Sequence, residues 1–400
     1  MLIIMKTQYD YIIIGSGVIG LALGLGLRKR NPQASILLTD KEEDVAYHAS
    51  SRNSGVLHAG FYYTADSLKA KFTVEGNRSM KAYCRAKNLP INECGKLVVA
   101  QNEEELQKLY ELEARGKKNG AQVRIIDEKE AEGIEPNVKT YQKALYSPDT
   151  ATIDPKAVCF QMREDLKNLG VEFAFRTKFL SRTGNTVHTT QGDFTGGKII
   201  NCAGLYADQV AQAFGFGRNY TMIPFKGLYL KYTKNKTDIK THIYPVPNLQ
   251  NPFLGVHFTK TVYQEIKIGP TAIPAFWREN YRQFSHFSLS EFSSILGYEA
   301  KLFLRNSFHF RDLAFEEIHK YDRRYFIHLA TKMVKQIDPG GFTEFTKPGI
   351  RAQLLDKSTL SLVQDFIIEG DKSSTHILNA VSPAFTCAFP FAQHVIQQYI

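Results

Sequence analysis

The sequence lacks several features that would place it in other classes of protein. Among its 400 residues there is no uninterrupted apolar stretch long enough to span a bilayer. The five cysteines are an odd number and include no Cys-x-x-Cys pair or neighbouring histidine cluster, which excludes a zinc site of the usual spacing. The apolar opening from Met1 to Met5 is too short for a signal peptide and has no basic segment before it. We therefore expect a cytoplasmic protein with reduced thiols and no bound metal, starting at Met1 or Met5.

The chain is basic, and its basic residues are dispersed along the sequence. The formal net charge is +10 at pH 7, which favours an acidic metabolite, an anionic membrane surface or nucleic acid as a partner. No nucleic-acid-binding motif is present, and the basic residues form no single cluster, so nucleic acid is excluded. A charge that only aids solubility is the alternative.

The most informative stretch is the first strand and the glycines that follow it. An apolar β-type run, Tyr9 to Ile14, ends at Gly15, and Gly17 and Gly20 complete a Gly-x-Gly-x-x-Gly pattern at the start of a helical one. A second β-type run ends on Asp40, twenty residues beyond Gly20. Glycines permit the tight turn and the close approach of a pyrophosphate, and the acid is placed to bind a ribose hydroxyl. The stretch predicts a dinucleotide-binding unit without specifying the dinucleotide.

Two later segments are rich in small residues and are expected near the same ligand. The polar run from His48 to Gly55 follows the nucleotide-binding unit, and its hydroxyl and N–H donors make it our first candidate for contact with the reactive ring of the cofactor. The run from Lys198 to Gly204 repeats the pattern of a buried strand ending in small residues before a helix.

The order of the remaining elements predicts a discontinuous domain. An aromatic-rich, alternating β region from Pro224 to Gly269 and a helix-prone region from Glu279 to Ile337 interrupt the nucleotide-binding segments, and no linker separates them. Helices are predicted at 67–87, 103–118 and 155–169 and from residue 382 to the end, the second of them a charged, solvated surface helix. We assign residues 1–75, 151–215 and 341–400 to the nucleotide domain, and 76–150 and 216–340 to a substrate domain.

Several motifs, taken together, resemble one family of flavoproteins. The motifs are Gly15-Ser16-Gly17-Val18-Ile19-Gly20, Asn53-Ser54-Gly55-Val56-Leu57-His58-Ala59-Gly60, Asn201-Cys202-Ala203-Gly204, Tyr244-Pro245-Val246-Pro247, Phe253-Leu254-Gly255-Val256-His257-Phe258, Gly349-Ile350-Arg351 and Ser382-Pro383-Ala384. They occur in this order over nearly the whole chain, which resembles the FAD-dependent L-2-hydroxyglutarate dehydrogenase/oxidase family of D-amino-acid oxidase-like flavoproteins. The resemblance implies an α/β fold, in which a Rossmann-like FAD-binding domain contains an inserted substrate domain of antiparallel β-sheet and helices.

The resemblance also implies which residues bind FAD. The glycines of the first turn would bind the pyrophosphate, and Asp40 would bind the adenosine ribose, where the family usually has Glu. The Ser51 to Gly55 loop would lie along the isoalloxazine, and the turn at Ser382 would aim a helix N-terminus at the flavin N1/O2 edge. The full set is Gly15, Gly17, Gly20, Asp40, Ser51, Asn53, Ser54, Gly55, Ala203, Gly204, Ser382, Pro383 and Ala384.

The expected reaction is oxidation of L-2-hydroxyglutarate to 2-oxoglutarate by hydride transfer to FAD. His58 is our choice for the base that takes the hydroxyl proton, because related glycerol-phosphate oxidases assign this part to the matching histidine; His257 is the competing candidate. Arg351 follows a glycine turn where the superfamily places a carboxylate-binding arginine. Lys226, Tyr229 and Tyr244 are the further substrate-binding candidates.

Two residues depart from the family pattern, and alternatives to the expected function stay open. Arg52 stands where the family commonly has histidine, and Leu228 where relatives often have Glu, so an oxidase of glycerol 3-phosphate or another 2-hydroxy acid is the alternative enzyme. An FAD-binding protein of another function is the non-enzyme alternative, against which His58 and Arg351 argue.

The electron acceptor is expected to be a quinone or oxygen. The 279–337 region is the candidate for a peripheral contact with the inner face of the cell membrane.

Overall fold

The computed structural model describes residues 6–247 and 255–400. The predicted alternative start at Met5 and the motif residues Phe253 and Leu254 lie outside this range. The strands in chain order are β1 Gln8–Ile14, β2 Ile36–Thr39, β3 Val56–Leu57, β4 Ile91–Asn92, β5 Lys96–Val99, β6 Arg124–Asp127, β7 Lys143–Ser147, β8 Ala151–Ile153, β9 Glu172–Ala174, β10 Phe179–Thr183, β11 Thr186–Thr189, β12 Gly192–Asn201, β13 Tyr220–Gly227, β14 Leu230–Tyr232, β15 His242–Pro245, β16 His257–Lys260, β17 Ile266–Gly269, β18 Ile273–Pro274, β19 Phe342–Phe345, β20 Gly349–Asp356, β21 Ser361–Leu362, β22 Ile368–Gly370 and β23 Ser374–Ile377.

The helices predicted at 67–87, 103–118 and 155–169 and from residue 382 to the end are present within two residues of the expected bounds. The α-helices are α1 Val18–Arg30, α2 Leu68–Ala86, α3 Glu103–Lys118, α4 Glu128–Ile134, α5 Pro155–Asn168, α6 Ala207–Ala213, α7 Leu289–Arg305, α8 Phe310–His319, α9 Arg323–Thr331 and α10 Ala384–Tyr399. Short 3₁₀ turns occur at Gly204–Tyr206, Ser307–His309 and Pro339–Gly341. The helix-prone region between residues 279 and 337 is thus divided among three helices.

The chain forms two compact units, each built from separated segments. The first unit comprises Met1–Ser51, Pro155–Ile223 and Ala352–Ile400, and the second comprises Arg52–Asp154 and Pro224–Arg351. Residues 52–75, which the sequence analysis assigned with the nucleotide domain, belong to the second unit.

The first unit contains a mostly parallel sheet. β1 pairs in parallel with β2 on one side and with β12 on the other, β9 follows β2, and β23 follows β12. The first half of β12 pairs antiparallel with β11, which forms a hairpin with β10. Strands that are buried on both faces read as continuous apolar runs, and all four residues of β2 are buried. The carboxyl ends of β1, β2 and β12 therefore meet at one edge, where parallel α/β sheets bind ligands.

Close packing of helices on this sheet explains several glycines. A Cβ on Gly26 of α1 would lie 2.5 Å from Ile396 Cδ1 of α10, and one on Gly24 would lie 3.1 Å from Leu166 of α5. Arg30 of α1 also donates to the Ile396 carbonyl at 2.6 Å. The glycine-spaced run after Gly20 thus allows α1 to contact both neighbouring helices at short distance.

The second unit is organised around a sheet with strand order β19-β14-β17-β16-β15-β5-β7-β6. Most neighbours are antiparallel as expected, but β5 pairs in parallel with β15, so the sheet is mixed. One face carries apolar residues such as Leu97, Ile243 and Phe258, all fully buried in a core cluster. Because side chains alternate along a strand, the intervening residues lie on the opposite face. These are the polar or aromatic Lys96, His242, Tyr244, His257 and Thr259.

Helix α3 corrects one expectation from the sequence. Its Glu and Lys residues predicted a solvated surface helix, but Leu106, Leu109 and Leu112 are buried against Phe61 and Tyr62. The helix is amphipathic: one stripe packs on the core while the charged residues face solvent. Its role is therefore to support the segment that follows β3.

Candidate active site

The glycine turn after β1 has the geometry of a backbone cradle. Gly15 has φ of +104°, and a Cβ there would lie 2.4 Å from the Cys202 carbonyl oxygen. A Cβ on Gly20 would lie 2.1 Å from the Gly15 carbonyl oxygen, and one on Gly17 would lie 3.0 Å from Ser50 Oγ. No other residue fits the first two positions without moving backbone atoms. The turn presents bare backbone at the N-terminus of α1.

The start of α1 is suited to an anionic group. Its N-cap, Gly17, has no side chain to cap the helix, and the first turn carries no acidic residue, whereas the last turn carries Arg28, Lys29 and Arg30. The Val18 N–H donates to Ser50 Oγ at 3.0 Å. The positive end of the helix dipole and the N–H groups of the first turn therefore form a site of the kind that binds diphosphates.

Asp40 lies beside the glycine turn and is positioned by it. One carboxylate oxygen accepts from the Ser16 N–H at 2.8 Å and from the Ser16 hydroxyl at 2.6 Å, and the other accepts from the Glu42 N–H at 3.0 Å. A carboxylate has about four acceptor positions, so it retains capacity for a ribose hydroxyl.

The loop after β12 approaches the same turn. The Cys202 N–H donates to the Ile14 carbonyl at 2.8 Å, and the amide of Asn201 bridges the loop by donating to Ala207 at 2.7 Å and accepting from Ala203 at 3.1 Å. Gly204 has φ of +54° and starts a 3₁₀ turn. The structure therefore brings Ala203 and Gly204 next to Gly15.

The other residues predicted to bind the cofactor are divided between the two units. Ser51 belongs to the first unit, and so do Ser382, Pro383 and Ala384, which open α10 without an acidic residue in its first turn. Asn53, Ser54 and Gly55 belong to the second unit. Asn53 Oδ1 accepts from the Gly55 N–H at 2.8 Å, and the Gly55 carbonyl accepts from the Ile153 N–H at 3.0 Å. Their contact with a flavin stays a prediction.

His58 follows the short strand β3 and is held there by a buried amide. Asn77 of α2 donates to the carbonyls of Leu57 and His58, each at 3.2 Å, and to that of Asp149 at 3.0 Å. At the C-terminal cap of α3, the side chain of Asn119 donates to the carbonyls of Gly60 and Tyr63 at 2.9 and 2.8 Å. Two helices thus fix the backbone on both sides of His58.

His257 forms part of a row of side chains across three strands. Its ring stacks on Tyr244 with a centroid separation of 3.6 Å and an interplanar angle of 17°. On the next strand, Lys96 Nζ lies 4.0 Å from the Tyr244 ring centroid. His257 Nδ1 lies 2.7 Å from the Gly255 carbonyl oxygen. Because a carbonyl can only accept, Nδ1 carries the proton and Nε2 has the free lone pair.

The electrostatic environment keeps these histidines neutral. Burial lowers the pKa of His58 well below its usual value, and the positive charges of Lys96 and Arg351 lower it further. Burial also lowers the pKa of His257 to about 3, with Lys96 and Arg351 again acting in the same direction. A neutral imidazole can accept a proton, so the site holds two bases in the required form.

Arg351 acts electrostatically on the same group of residues. It is partly buried, and its charge acts on the ionisation of His58, His257 and Tyr229. The strand β20 that carries it starts at Gly349, where a Cβ would lie 2.0 Å from the Arg52 carbonyl oxygen. This close approach brings the Arg52–Gly55 loop against β20. The structure therefore gathers His58, His257, Arg351, Tyr229 and Tyr244 in one unit.

Lys226 contacts another residue of the protein, and so do Arg52 and Leu228, the two residues that depart from the family pattern. Lys226 donates to the Asn280 side chain at 3.1 Å, and burial lowers its pKa. The Arg52 guanidinium lies over the Tyr281 ring at 4.3 Å, a cation–π contact. The Leu228 N–H donates to Thr271 Oγ1 at 3.0 Å. A substrate contact of Lys226 stays a prediction.

Several residues of the site were not identified from the sequence. Ser16 and Ser50 support the glycine turn and Asp40, and Asn77 supports His58. Lys96 and His242 lie in β-type runs that read as ordinary strands, and both are fully buried. The only signal for Lys96 was a charged residue at the start of the apolar run Lys96–Val99.

The glycine turn and the α/β fold define a dinucleotide-binding protein, and the comparison with known families specifies the dinucleotide. The family model described as "FAD dependent oxidoreductase" matches residues 10–398, so the chain belongs to that class of protein. Among solved structures, the chain is similar to the dithionite-reduced L-α-glycerophosphate oxidase from Mycoplasma pneumoniae with FAD bound, with a TM-score of 0.76 and 21% identity, covering 98% of this chain and 94% of that one. It is also similar to the glycine oxidase from Geobacillus kaustophilus, with a TM-score of 0.71 and 17% identity over 98% and 94% of the two chains. These structures show the fold.

Sequence relatives define the family more narrowly. The chain is 36% identical to the L-2-hydroxyglutarate dehydrogenase of Indibacter alkaliphilus over 95% of its own length and 96% of that protein. It is 32% identical to the enzyme of the same name from Escherichia coli K12 (98% and 93%) and to the human mitochondrial one (95% and 86%). The chain belongs to the L-2-hydroxyglutarate dehydrogenase family of FAD-dependent oxidoreductases. The predictions of family, fold class and FAD as cofactor are confirmed.

Proposed function

We propose that the protein oxidises L-2-hydroxyglutarate to 2-oxoglutarate. The observation that carries this proposal is the grouping of two neutral, buried imidazoles with Arg351 in one unit of an FAD-dependent family. The reaction needs a base for a hydroxyl proton and a cation for a carboxylate, and these residues supply both. The relatives at 32–36% identity carry the name of this activity.

Each side chain has a separate part in this proposal. Arg351 binds the carboxylate next to the reacting carbon through its planar guanidinium, and Tyr229 adds a hydroxyl donor. His58 takes the substrate hydroxyl proton while the C–H bond breaks with its electron pair and the C=O double bond forms. His257, with its proton fixed at Nδ1, accepts a hydrogen bond at Nε2 and orients the substrate. FAD, bound along the glycine turn, Asp40 and the Ala203–Gly204 loop, supplies the two-electron oxidant.

Anaerobic reduction separates the proposed substrate from the alternatives. The purified, FAD-loaded protein is mixed without oxygen with L-2-hydroxyglutarate, D-2-hydroxyglutarate or glycerol 3-phosphate, and the flavin absorbance near 450 nm is followed. We expect bleaching with the L-acid only. Bleaching by glycerol 3-phosphate and not by L-2-hydroxyglutarate would assign the chain to the alternative reaction. Protein that carries no flavin would contradict both.

We also propose a peripheral membrane contact through the segment between residues 276 and 321, which contains α7 and α8. More than half of the large apolar side chains exposed in the described residues lie in this stretch, and Phe284, Leu289 and Leu304 are 82%, 70% and 73% exposed. Such a concentration of exposed apolar surface marks an interaction site. The exposed Lys301 and Arg305 lie in the same helix as two of them and favour an anionic surface. Reducing equivalents would then pass to a membrane quinone, with oxygen as the other acceptor.

Vesicle cosedimentation tests this contact. We expect the protein to sediment with phosphatidylglycerol vesicles more than with phosphatidylcholine vesicles, and high salt to reduce the difference. The double variant Phe284→Ser, Leu304→Ser should lose binding, whereas Leu180→Ser, which changes an apolar side chain of similar exposure (57%) in the first unit, should retain it. No binding by the parent, or equal loss in the control, would contradict the proposal. No helix in the described part of the chain is long and apolar enough to cross a membrane.

A further inference from the structure

Lys96 carries a buried amine that has no role in the proposed reaction. Its side chain is fully buried, and within residues 6–247 and 255–400 its Nζ has no hydrogen-bond partner. Three aromatic rings surround it instead, with centroids at 4.0 Å for Tyr244, 5.2 Å for Tyr62 and 5.6 Å for Phe61. Lysine is rarely buried completely without an ion pair, because its charged form loses the solvation of water. A buried lysine of this kind lowers the free energy of unfolding, which indicates that it has a function.

The strand order places this amine close to Tyr244 and His257, and its charge also reaches the proposed base, His58. Lys96 is paired with His242 on β15, and β15 separates β5 from β16. The Tyr244 ring therefore lies between Lys96 and His257. The charge of Lys96 acts on both His58 and His257, and the charge of Arg351 acts on the same two imidazoles. An anion bound by Arg351 beside these histidines is thus within electrostatic reach of Lys96.

The groups that face Lys96 provide no negative charge under ordinary conditions. Cys94 lies two residues before Lys96 and acts on it electrostatically, and His242, Tyr244 and His257 come from β15 and β16. The segment after β3 contributes His58 and Tyr62. The cysteine and the tyrosines are held neutral by burial, which raises the pKa of each. Burial lowers the pKa of Lys96 to about 7. The amine is therefore poised between its charged and neutral forms near physiological pH.

We propose that Lys96 gains a proton when a dianion binds beside Arg351 and the two histidines. The identity of that dianion, the L-2-hydroxyglutarate or 2-oxoglutarate carboxylate pair, rests on the proposed function. At an effective dielectric constant of about 40, two negative charges about 8 Å away contribute about 1 kcal/mol each, which raises the pKa of the amine by about one to two. The positive charge of the site therefore increases when a dicarboxylate binds. Lys96 acts at a distance through this charge and through Tyr244, so it adjusts the affinity and positions the His257 ring.

Proton uptake on binding is the direct test. The FAD-loaded enzyme is titrated calorimetrically with 2-oxoglutarate at pH 8 in buffers of different ionisation enthalpy, which measures protons exchanged without turnover. We expect uptake of about half a proton or more per ligand in the parent and none in Lys96→Met. The affinity of the parent should weaken by about 5- to 25-fold between pH 7 and pH 9, whereas that of Lys96→Met should change little.

The control is Lys260→Met. Lys260 is also a buried lysine of the same sheet, but its Nζ donates to the Lys236 carbonyl. We expect this variant to take up protons like the parent. Flavin content and thermal unfolding verify folding, and Lys96→Gln replaces Lys96→Met if the latter does not fold.

The outcomes distinguish this inference from the proposed function. If 2-oxoglutarate binds the parent without proton uptake, or if Lys96→Met and Lys96→Gln take up as much as the parent, the inference is wrong and the proposed function is unaffected. If 2-oxoglutarate does not bind the FAD-loaded parent at all, the proposed function is wrong, and the inference is lost with it.

Discussion

At the scale of single residues, the reaction depends on which of two buried imidazoles accepts the proton. His58 and His257 are both neutral because burial opposes their charged forms. We expect His58→Asn to retain FAD and to lose about 10²- to 10⁴-fold in kcat, the range for removal of a general base. Stopped-flow measurement of flavin reduction under anaerobic conditions isolates this step from reoxidation.

The matched variant is His257→Asn. Because His257 has its proton fixed at Nδ1 by the Gly255 carbonyl, Asn at this position removes the acceptor at Nε2 and the stack on Tyr244. We expect mainly a higher KM, since an orienting residue contributes to binding. If His257→Asn abolishes flavin reduction and His58→Asn does not, the two assignments must be exchanged.

At the scale of elements, helix α2 supports the catalytic segment through one side chain. Asn77 donates to three carbonyls on two different segments of chain. Replacing it by Ala leaves buried acceptors without donors, so we expect a loss of about 1–3 kcal/mol in the free energy of unfolding and a lower rate of flavin reduction. Urea unfolding and stopped-flow kinetics measure the two effects. Ser79→Ala on the same helix, which removes only a bond to the Gly76 carbonyl, should change neither much.

A second prediction at this scale concerns the turn between β1 and α1. In Gly15→Ala the new Cβ would lie 2.4 Å from the Cys202 carbonyl oxygen at φ of +104°. The turn must therefore shift, and we expect the purified variant to contain little FAD. The ratio of flavin to protein absorbance measures this. Gly133→Ala, where a Cβ would have open space, serves as the control, and a normal flavin content in Gly15→Ala would show that the cradle does not need glycine there.

At the scale of the whole molecule, the buried histidines make stability depend on pH. Burial lowers the folded-state pKa of His58, His242 and His257, the last to about 3, whereas the unfolded value is about 6.5. Below pH 6.5 the unfolded chain therefore binds more protons than the folded one. The free energy of unfolding should fall on acidification by up to about 1.4 kcal/mol per pH unit for each histidine. This contribution is present in full above pH 6.5.

Urea unfolding at pH 7.5, 6.5, 5.5 and 4.5 tests this dependence. The variant His242→Gln should reduce the slope by about the contribution of one histidine. A free energy of unfolding that does not change between pH 6.5 and pH 4.5 would show that these side chains titrate normally in the folded protein.

The sequence by itself determined the features that depend on local order. The strand, glycine turn and helix from β1 to α1, the acid at residue 40 and most helix positions follow from local periodicity and from backbone requirements that only glycine meets. The family motifs likewise occur in contiguous runs, and the comparisons confirmed the FAD-dependent family. These properties are encoded over stretches of a few residues, so a linear reading can recover them.

Only the tertiary structure decided which distant side chains lie together. Lys96, Tyr244 and His257 form a row because β5 pairs in parallel with β15, and no local pattern in the three strands indicates that pairing. Asn77 and the buried face of α3 were missed because their partners lie in other segments: Asn77 binds carbonyls at residues 57, 58 and 149, and α3 packs on Phe61 and Tyr62. Strand register and burial are properties of the folded sheet. They determine which charges lose their solvation and act on one another, and therefore which residues of an ordinary strand become part of the site.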